Sequence, residues 1–390
     1  MMRAGIRSVR DNALWAAIEP RAGELGIPAP LENYITAATE SGLVPLLVLV
    51  HGNRLYDGGL KPHSPTAVAA YARYAGFVAA HFAGRAGFYE IWNEWDQHST
   101  KDPGSPEEYV RLVAAASREI RRADSKAKVL AGSITSTGIR DGFLDDIIDR
   151  GVLAYADGLA IHPYNHSSKN RRPEDWADWM TDLNSHIEAR IHRKVALYIT
   201  EMGWPTQQSG TGVTEQRQAE YLARLYLLAR TMPFIKGVWW YDLRNDGPDP
   251  KEMEHNFGVL RSDLEPKVGY HALQGVSAIV SRANFAGRED LESQALYLLR
   301  FREPDGENIW TLWTSDETQH SLELTNIARK PPSLNIRLAT GTIQEQSWVA
   351  KPLIDAQFAR RWTLTVSLGP MPLIVRGNLG GVQAIALPQH

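Results

Sequence analysis

The first 283 residues alternate short apolar segments with longer amphipathic ones, and this alternation restricts the possible folds more than any other feature. The apolar segments have the length of strands and carry few charges, as expected for strands buried on both faces of a sheet. Seven are predicted, at residues 6–10, 44–50, 88–93, 128–134, 158–164, 195–201 and 235–242. Repeated strand–helix units at this spacing predict an α/β fold, a (β/α) barrel of the TIM type over residues 1–283.

The amphipathic segments carry helix-start signals. Ser105 is followed by Pro106 and, three residues after the serine, by Glu108, which is the pattern of a capping box with proline at the first helical position. Ser64 and Thr214 precede two further amphipathic stretches. All three positions predict helices between the barrel strands.

After about residue 283 the pattern changes to short alternating strands separated by turn-rich segments, with no long helix between them. Residues 284–390 are therefore predicted to form a small all-β domain, a sandwich. Its tryptophans, Trp310, Trp313, Trp348 and Trp362, suit a packed core better than a sugar-binding face. We expect this domain to support the barrel.

Composition excludes several classes of function. The net charge of −3 over 390 residues gives no indication of a nucleic-acid partner. The chain has no cysteine, which excludes disulfides and thiolate metal sites, and no apolar run long enough to predict a transmembrane helix. The first ten residues lack the apolar core of a signal peptide.

Two predicted strands end in glutamates, Glu94 and Glu201. In a parallel barrel the carboxyl ends of all strands open onto one face, which carries the active site. Two carboxyl groups that face each other there are the minimal apparatus for cleaving a glycosidic bond, and the amide of Asn93 is placed to bind a sugar 2-hydroxyl. At about 5 Å the carboxylates would interact by roughly 3 kcal/mol, so one ionises before the other. Each glutamate alone has the alternative of a helix cap or a solvent-facing side chain.

Other strand ends offer supporting groups. Arg10 follows the first predicted strand and is placed to pair with Glu201, although a purely structural ion pair remains an alternative. His51 follows the second strand. His162 and Tyr164 follow the fifth, where the tyrosine is placed to donate a hydrogen bond to the nucleophile. For either histidine alone, a hydrogen-bonded core position is the alternative.

Aromatic residues near the strand ends are candidate sugar platforms. Trp239 and Trp240 are adjacent near the end of the last barrel strand, so one should face the barrel mouth and the other the helices, and alternation does not say which. Trp95 and Trp204 also follow strands. They are expected either to line further subsites or to pack in the core.

No metal or cofactor is expected. His162 and His166 have the four-residue spacing of metal ligands on a helix, but Pro163 and the strand context argue against a helix there. A Gly-rich phosphate loop and a Gly-x-Ser-x-Gly nucleophile elbow are both missing from the sequence. The missing phosphate loop counts against an unrelated, phosphate-handling barrel enzyme.

Trp92-Asn93-Glu94 and Thr200-Glu201 together resemble the signature of the clan A retaining glycoside hydrolases. The chain is most similar to glycoside hydrolase family 39 and its bacterial exopolysaccharide-cleaving relatives. This likeness rests on the spacing of the two motifs, on His162-Pro163-Tyr164 and on the trailing β-domain. The resemblance implies Glu94 as acid/base, Glu201 as nucleophile, Asn93 as the 2-hydroxyl ligand, and Arg10 and Tyr164 as partners of the nucleophile. It also implies a retaining hydrolase of β-type bonds in a polysaccharide or oligosaccharide. Family members act on β-xylosides, iduronides or exopolysaccharide backbones, so the resemblance leaves the substrate open, and we expect endo action on a bacterial exopolysaccharide. A non-catalytic polysaccharide-binding protein on the same scaffold is the alternative.

The sequence departs from that family in two places. Trp95-Asp96 stands where many relatives have proline and asparagine after the acid/base glutamate. The relatives also have one more strand before the segment that begins here at Ile6, so we expect seven barrel strands and a polypeptide that starts further upstream. We expect a soluble monomer, periplasmic or secreted if an export signal precedes this sequence and cytoplasmic otherwise.

Overall fold

The computed structural model describes residues 1–97, 102, 104–352 and 360–388. Within these ranges the first part of the chain forms one curled sheet whose seven strands all run parallel and pair in sequence order. The strands are β1 (Ser8–Leu14), β2 (Val44–Val50), β3 (Phe88–Ile91), β4 (Lys128–Thr135), β5 (Gly158–His162), β6 (Leu197–Met202) and β7 (Ile235–Trp240). The predicted barrel-type architecture with seven strands is confirmed.

Helices cover the outer surface of this sheet. They are α1 (Trp15–Ile18), α2 (Ala29–Glu40), α3 (Pro65–His81), α4 (Pro106–Ala123), α5 (Ser136–Arg140), α6 (Phe143–Asp149), α7 (Pro173–Ile191), α8 (Glu215–Thr231) and α9 (Val268–Arg282). The three predicted caps are confirmed: Ser64, Ser105 and Thr214 each accept a hydrogen bond from a first-turn backbone N–H, and Ser105 forms the full capping box with Glu108. None of these described helices combines the length and apolar character needed to cross a bilayer.

Alternate residues of the strands pack into two separate cores. In β2, Leu46, Val48 and Val50 belong to a cluster inside the barrel, whereas Leu47 and Leu49 pack against the helices. This double burial explains why the strand sequences are apolar throughout.

The first and last strands of the sheet are less covered than the others. Every residue of β7 is intermediate or exposed, and no backbone ladder joins it to β1 among the described strands. A side-chain contact spans the distance instead, because Trp239 Nε1 donates a hydrogen bond to Ser8 Oγ at 3.1 Å. A cavity at the carboxyl ends of the strands continues into this opening.

The C-terminal part contains two antiparallel sheets that share an apolar core, so the predicted all-β sandwich is confirmed. Its strands are β8 (Asn284–Arg288), β9 (Leu296–Arg302), β10 (Asn308–Thr314), β11 (His320–Ala328), β12 (Leu334–Leu338), β13 (Val349–Pro352), β14 (Arg360–Leu368), β15 (Leu373–Gly377) and β16 (Gln383–Ala386). Trp310 packs in the sandwich core. Trp313 packs towards the barrel, where its Nε1 donates to Glu174, which also binds the buried Arg224 of α8.

Candidate active site

The chain turns sharply where β3 ends, and this turn presents Glu94. Trp92 and Glu94 both adopt left-handed backbone conformations, with φ of 65° and 52°. Such conformations cost a non-glycine residue about 1–3 kcal/mol and persist only where the surroundings fix them. Here the Glu94 N–H donates to the carbonyl of Ser133 on β4 at 3.1 Å. The Glu94 side chain therefore reaches the cavity at the carboxyl ends of the strands.

Glu201 lies near the end of β6 and faces the same cavity. The side chains of Glu94 and Glu201 are 19% and 14% exposed, so both are accessible to a ligand while mostly shielded. Between them lies His162, whose Nδ1 is 2.8 Å from Glu94 Oε1 and 3.5 Å from Glu201 Oε2. Oxygen atoms of the two carboxyl groups come within 4.8 Å of each other. That limit is compatible with the ~5–5.5 Å between the carboxyl groups of retaining glycosidases and lies below the ~6.5–9.5 Å of inverting ones.

Arg10 holds three groups of the site by hydrogen bonds. Its Nη1 donates to Glu201 Oε1 at 2.6 Å, its Nη2 to Asn93 Oδ1 at 2.7 Å, and its Nε to Glu90 Oε2 at 2.7 Å. Burial alone would lower the pKa of Arg10, but the neighbouring Glu90 and Glu201 carboxylates raise it. The guanidinium therefore stays charged. The predicted pairing of Arg10 with Glu201 is present.

The second oxygen of Glu201 is held by Tyr164. The tyrosine hydroxyl donates to Glu201 Oε2 at 3.1 Å. Burial, and then the negative charge of Glu201, raise the pKa of Tyr164 well above its usual value, so the hydroxyl remains a donor. Both carboxylate oxygens of Glu201 are thus fixed by hydrogen bonds, one from Arg10 of β1 and one from Tyr164 in the segment after β5.

His162 is fully buried under the carboxyl pair. Burial lowers its pKa, but the Glu201, Glu90 and Glu94 carboxylates outweigh that effect and raise the pKa to about 9. In the protonated form both ring nitrogens donate, Nδ1 to Glu94 and Nε2 to the Thr200 hydroxyl at 3.1 Å.

The donor set of Glu94, His162 and Glu201 is compact enough for a metal ion, since one ligand atom of each lies within 4.8 Å of the others. The protonation and bonding of these groups do not suit one. A protonated imidazole has no lone pair to offer, and Glu201 already receives hydrogen bonds from Arg10 and Tyr164. The arrangement instead fits two carboxyl groups that are each held by hydrogen bonds from neighbouring side chains.

His51 lies at the same end of the barrel and lines the cavity. Its ring meets Trp92 edge-on with centroids 6.3 Å apart, and burial lowers the pKa of His51, which favours the neutral imidazole. Its position is compatible with the predicted contact to substrate.

The two adjacent tryptophans of β7 point to opposite sides of the sheet. Trp239 lies inside the barrel against Phe88 and Tyr198, with centroids 5.8 and 6.5 Å away. Both neighbours stand near the amino ends of their strands, so Trp239 lines the cavity well below the mouth. Trp240 lies on the helix side, 6.0 Å from Trp204. The expected platform at the mouth is therefore formed by neither tryptophan.

Tyr241, the next residue, occupies the mouth instead, and the sequence analysis did not assign it. Its ring centroid is 6.5 Å from that of Tyr164, and its hydroxyl donates to Glu254 Oε2 at 3.2 Å. The signal that was available is its place at the end of the Trp-Trp-Tyr run. Alternation along the strand is kept, since Trp239 and Tyr241 face the cavity and Trp240 faces the helices, but the sequence did not show which set faces inwards.

Trp95 and Trp204 require a correction. Both are fully buried, and their indole N–H groups donate to backbone carbonyls of Ser105 and Arg171. Neither lines the cavity, so neither ring offers a face to a sugar. They are core residues, packed in the apolar cluster between the strands and the helices.

Asp96, the other unusual residue after Glu94, also has a structural role. Its buried carboxylate accepts hydrogen bonds from the backbone N–H and the hydroxyl of Thr135, the residue that caps α5. The departure from the family pattern at this position ties the Glu94 loop to the end of β4.

Comparisons with known proteins identify the family and the fold. The model of the family described as cellulase (glycosyl hydrolase family 5) matches residues 4–241. A family 39 glycoside hydrolase from Bacteroides cellulosilyticus is 23% identical with a TM-score of 0.77, and the match covers 97% of this chain and 76% of that one. The catalytic domain of the family 30 xylanase C from Talaromyces cellulolyticus is 14% identical (TM-score 0.63, covering 96% and 88%). A monomeric beta-xylosidase from Caulobacter crescentus is 12% identical (TM-score 0.61, covering 96% and 90%). No curated protein sequence matches this chain.

Proposed function

This chain belongs to the cellulase family, glycosyl hydrolase family 5, and is a clan A glycoside hydrolase; from this premise we propose that it cleaves β-type glycosidic bonds with retention of configuration. Glu201 is the nucleophile and Glu94 the acid/base. The observation that carries the proposal is the approach of their carboxyl oxygens to within 4.8 Å across one cavity. That distance suits direct attack by one carboxylate and leaves too little room for a water molecule between the carboxylate and the sugar.

The reaction proceeds in two displacements. In the first, a Glu201 oxygen bonds to the anomeric carbon, the bond to the leaving oxygen breaks, and Glu94 transfers its proton to that oxygen. In the second, water attacks the anomeric carbon, its proton passes to Glu94, and the ester bond to Glu201 breaks. Glu94 is thereby restored as the acid and Glu201 as the carboxylate.

Asn93 orients the sugar relative to the nucleophile. Its side-chain oxygen accepts the hydrogen bond from Arg10, and this assigns the amide nitrogen to the side that faces the cavity. An N–H donor at that position suits the 2-hydroxyl of the sugar, an interaction that strengthens in the transition state. Because the same guanidinium holds Glu201, the nucleophile and the 2-hydroxyl ligand are fixed by one group.

We also propose that the substrate is a polysaccharide, cut internally, and that a bacterial exopolysaccharide is its source. The likeness to a xylanase, whose name denotes a polysaccharide substrate, favours a ligand of several sugar units. The similarity to a xylanase and to a beta-xylosidase favours β-linked sugars. The likeness of the sequence to exopolysaccharide-cleaving relatives supplies the source.

The stereochemistry is tested by recording ¹H NMR spectra within minutes of adding enzyme to a β-linked substrate, found by screening polysaccharides and aryl β-glycosides for new reducing ends. The β-anomer should appear first. Initial release of the α-anomer would refute the retaining mechanism.

The residue roles are tested with Glu201→Ala and Glu94→Ala, each assayed with added azide. Azide should give an α-glycosyl azide with the first variant and a β-glycosyl azide with the second, because it enters from opposite faces of the sugar. Glu40→Ala, at an exposed position on α2, is the matched control and should behave like the wild type. Hydrolysis at the wild-type rate by Glu201→Ala would remove Glu201 from the mechanism.

A further inference from the structure

Glu90 is a third glutamate of the site that neither the sequence analysis nor the proposed reaction uses. Its carboxylate is fully buried beneath Glu94 and Glu201 and is not part of the cavity surface. A buried carboxylate is costly unless its oxygens are paired. The partners of Glu90 therefore indicate what it does.

Four strands supply those partners. Arg10 of β1 donates Nε–H to Glu90 Oε2 at 2.7 Å, and Thr200 of β6 donates its hydroxyl to Oε1 at 2.8 Å. The Ser133 hydroxyl of β4 also donates to Oε1, and His162 Nε2 of β5 lies 3.9 Å away.

Each partner of Glu90 also holds a reacting group. Arg10 binds Glu201, and the Ser133 carbonyl accepts the backbone N–H of Glu94. The Thr200 hydroxyl accepts a hydrogen bond from Nε2 of His162, whose other nitrogen meets Glu94. Glu90 therefore joins the contacts that hold Glu201 to the contacts that hold Glu94.

The backbone of β4 is distorted in a way that serves this contact. Ser133 has a left-handed conformation with φ of 50°, and the register with β5 shifts between Gly132 and Ile134. A Cβ atom on Gly132 would lie 2.4 Å from the carbonyl oxygen of Ala160, so glycine is required there. The bulge turns the Ser133 hydroxyl towards Glu90 and its carbonyl towards the Glu94 backbone.

The charge balance gives Glu90 a second effect. Arg10 and protonated His162 carry two positive charges in the floor of the site, and Glu201 supplies one negative charge. Glu90 supplies the second negative charge. The phenol of Tyr109 on α4 also faces Glu90, and it stays neutral because burial raises the pKa of Tyr109. Without Glu90 the buried groups would carry an excess positive charge, which His162 can remove by releasing its proton.

We propose that Glu90 is a positioning residue that keeps His162 protonated, with Nδ1–H directed at Glu94, and fixes the guanidinium that holds Glu201. The proposal rests on the proposed roles of Glu94 and Glu201. Burial raises the pKa of Glu90, but Arg10 and His162 outweigh this and lower it to about 2, so the carboxylate is charged at every pH at which the enzyme is assayed. The protonated His162 then stabilises Glu94 as it gives up its proton to the leaving group.

The test is the titration of His162, read by NMR in protein labelled with ¹⁵N-histidine and assigned by the signals that His162→Asn removes. In the wild type the ring should stay protonated to about pH 9. In Glu90→Gln its midpoint should fall by at least about one pH unit, the usual effect of removing a charge at this distance. Glu90→Asp keeps the negative charge on a shorter side chain. In this variant the His162 titration midpoint should stay nearer the wild-type value, while kcat still falls.

Glu19→Gln is the matched control, because Glu19 is also buried but contacts Trp15 and Tyr56 and none of the groups around Glu90. In the Glu19→Gln variant, His162 should titrate as it does in the wild type. If Glu90→Gln does not fold, Thr200→Val removes the hydroxyl between His162 and Glu90 and should lower the midpoint by a smaller amount. An unchanged His162 midpoint in the folded variant would overturn the proposal. This readout needs no turnover, so it remains decisive even if the azide experiments contradict the proposed reaction.

Discussion

Replacing Tyr164 with phenylalanine isolates one hydrogen bond to the nucleophile. The substitution removes only the hydroxyl that donates to Glu201 Oε2 at 3.1 Å. The ring keeps its edge contacts with Phe257 and Tyr241, at centroid distances of 6.0 and 6.5 Å. Arg10 still binds the other oxygen of Glu201. Any change in rate therefore reports the hydroxyl alone.

The magnitude follows from the charge that Glu201 carries at each step. A hydrogen bond to a charged group contributes about 1.5–3 kcal/mol, and each 1.36 kcal/mol is tenfold in rate. Glu201 loses charge as it attacks the sugar and regains it when the glycosyl-enzyme is hydrolysed. The hydroxyl therefore stabilises the second transition state most, and Tyr164→Phe should slow deglycosylation by about 10- to 150-fold.

The assay is stopped-flow hydrolysis of an activated aryl β-glycoside. Because the glycosyl-enzyme accumulates, kcat and KM should both fall, and a burst of aryl alcohol equal to the enzyme concentration should precede the slow phase. Tyr155→Phe, at an exposed position, is the control and should leave both constants unchanged. A kcat within twofold of the wild type, or a fall in kcat without a burst, would refute this reasoning.

Three further outcomes are expected. Arg10→Lys keeps the charge but has one nitrogen where the guanidinium makes three contacts, so kcat/KM should fall by at least about 10²-fold, which steady-state kinetics measures. The pKa of His162 in the folded protein is about 9, above its ordinary value of 6.5. Protonation of His162 therefore contributes about 3 kcal/mol to the free energy of unfolding, a contribution that is complete below pH 6.5 and is lost as the pH rises to about 9. Urea unfolding across that range should show the loss in the wild type and not in His162→Asn. Tyr241→Ala removes the ring at the cavity mouth and should raise KM with little change in melting temperature, whereas Trp95→Ala should lower the melting temperature, as calorimetry would show.

The sequence predicts the seven strands, though not all of their ends, because double burial leaves a continuous apolar pattern. Val44–Val50 was located to the residue, and Glu94 and Glu201 stand out as the first charges after such runs. The pattern failed in β1, which was expected to end at Arg10 but pairs with β2 as far as Leu14. Polar residues such as Asn12 continue this strand because they face the cavity, where water rather than apolar core meets them.

The misassigned and missed residues share one cause, which is that sequence gives residue type but not the depth of a side chain. Trp95 and Trp204 follow strands as sugar platforms do, yet both are buried. Glu90 was overlooked because it lies inside its strand and not at the end, although a single charge within an apolar run was an available signal. Its function depends on partners more than 40 positions away along the chain, Arg10 and Ser133 among them.

The barrel tolerates this polar layer because it is fully paired and confined to one level. Among the described residues, no side-chain nitrogen or oxygen of Arg10, Glu90, His162 or Thr200 is buried without a hydrogen-bond partner. A half-satisfied network there would cost more than an apolar core, whereas a complete one fixes the side chains without leaving bare charge. Directly below it, the interior is apolar, with residues such as Leu46 at full burial. The apolar lower layer therefore supplies most of the stability, and the polar upper layer fixes the geometry of the site. Substitutions that preserve side-chain volume in the polar layer should for that reason change catalysis before they unfold the protein.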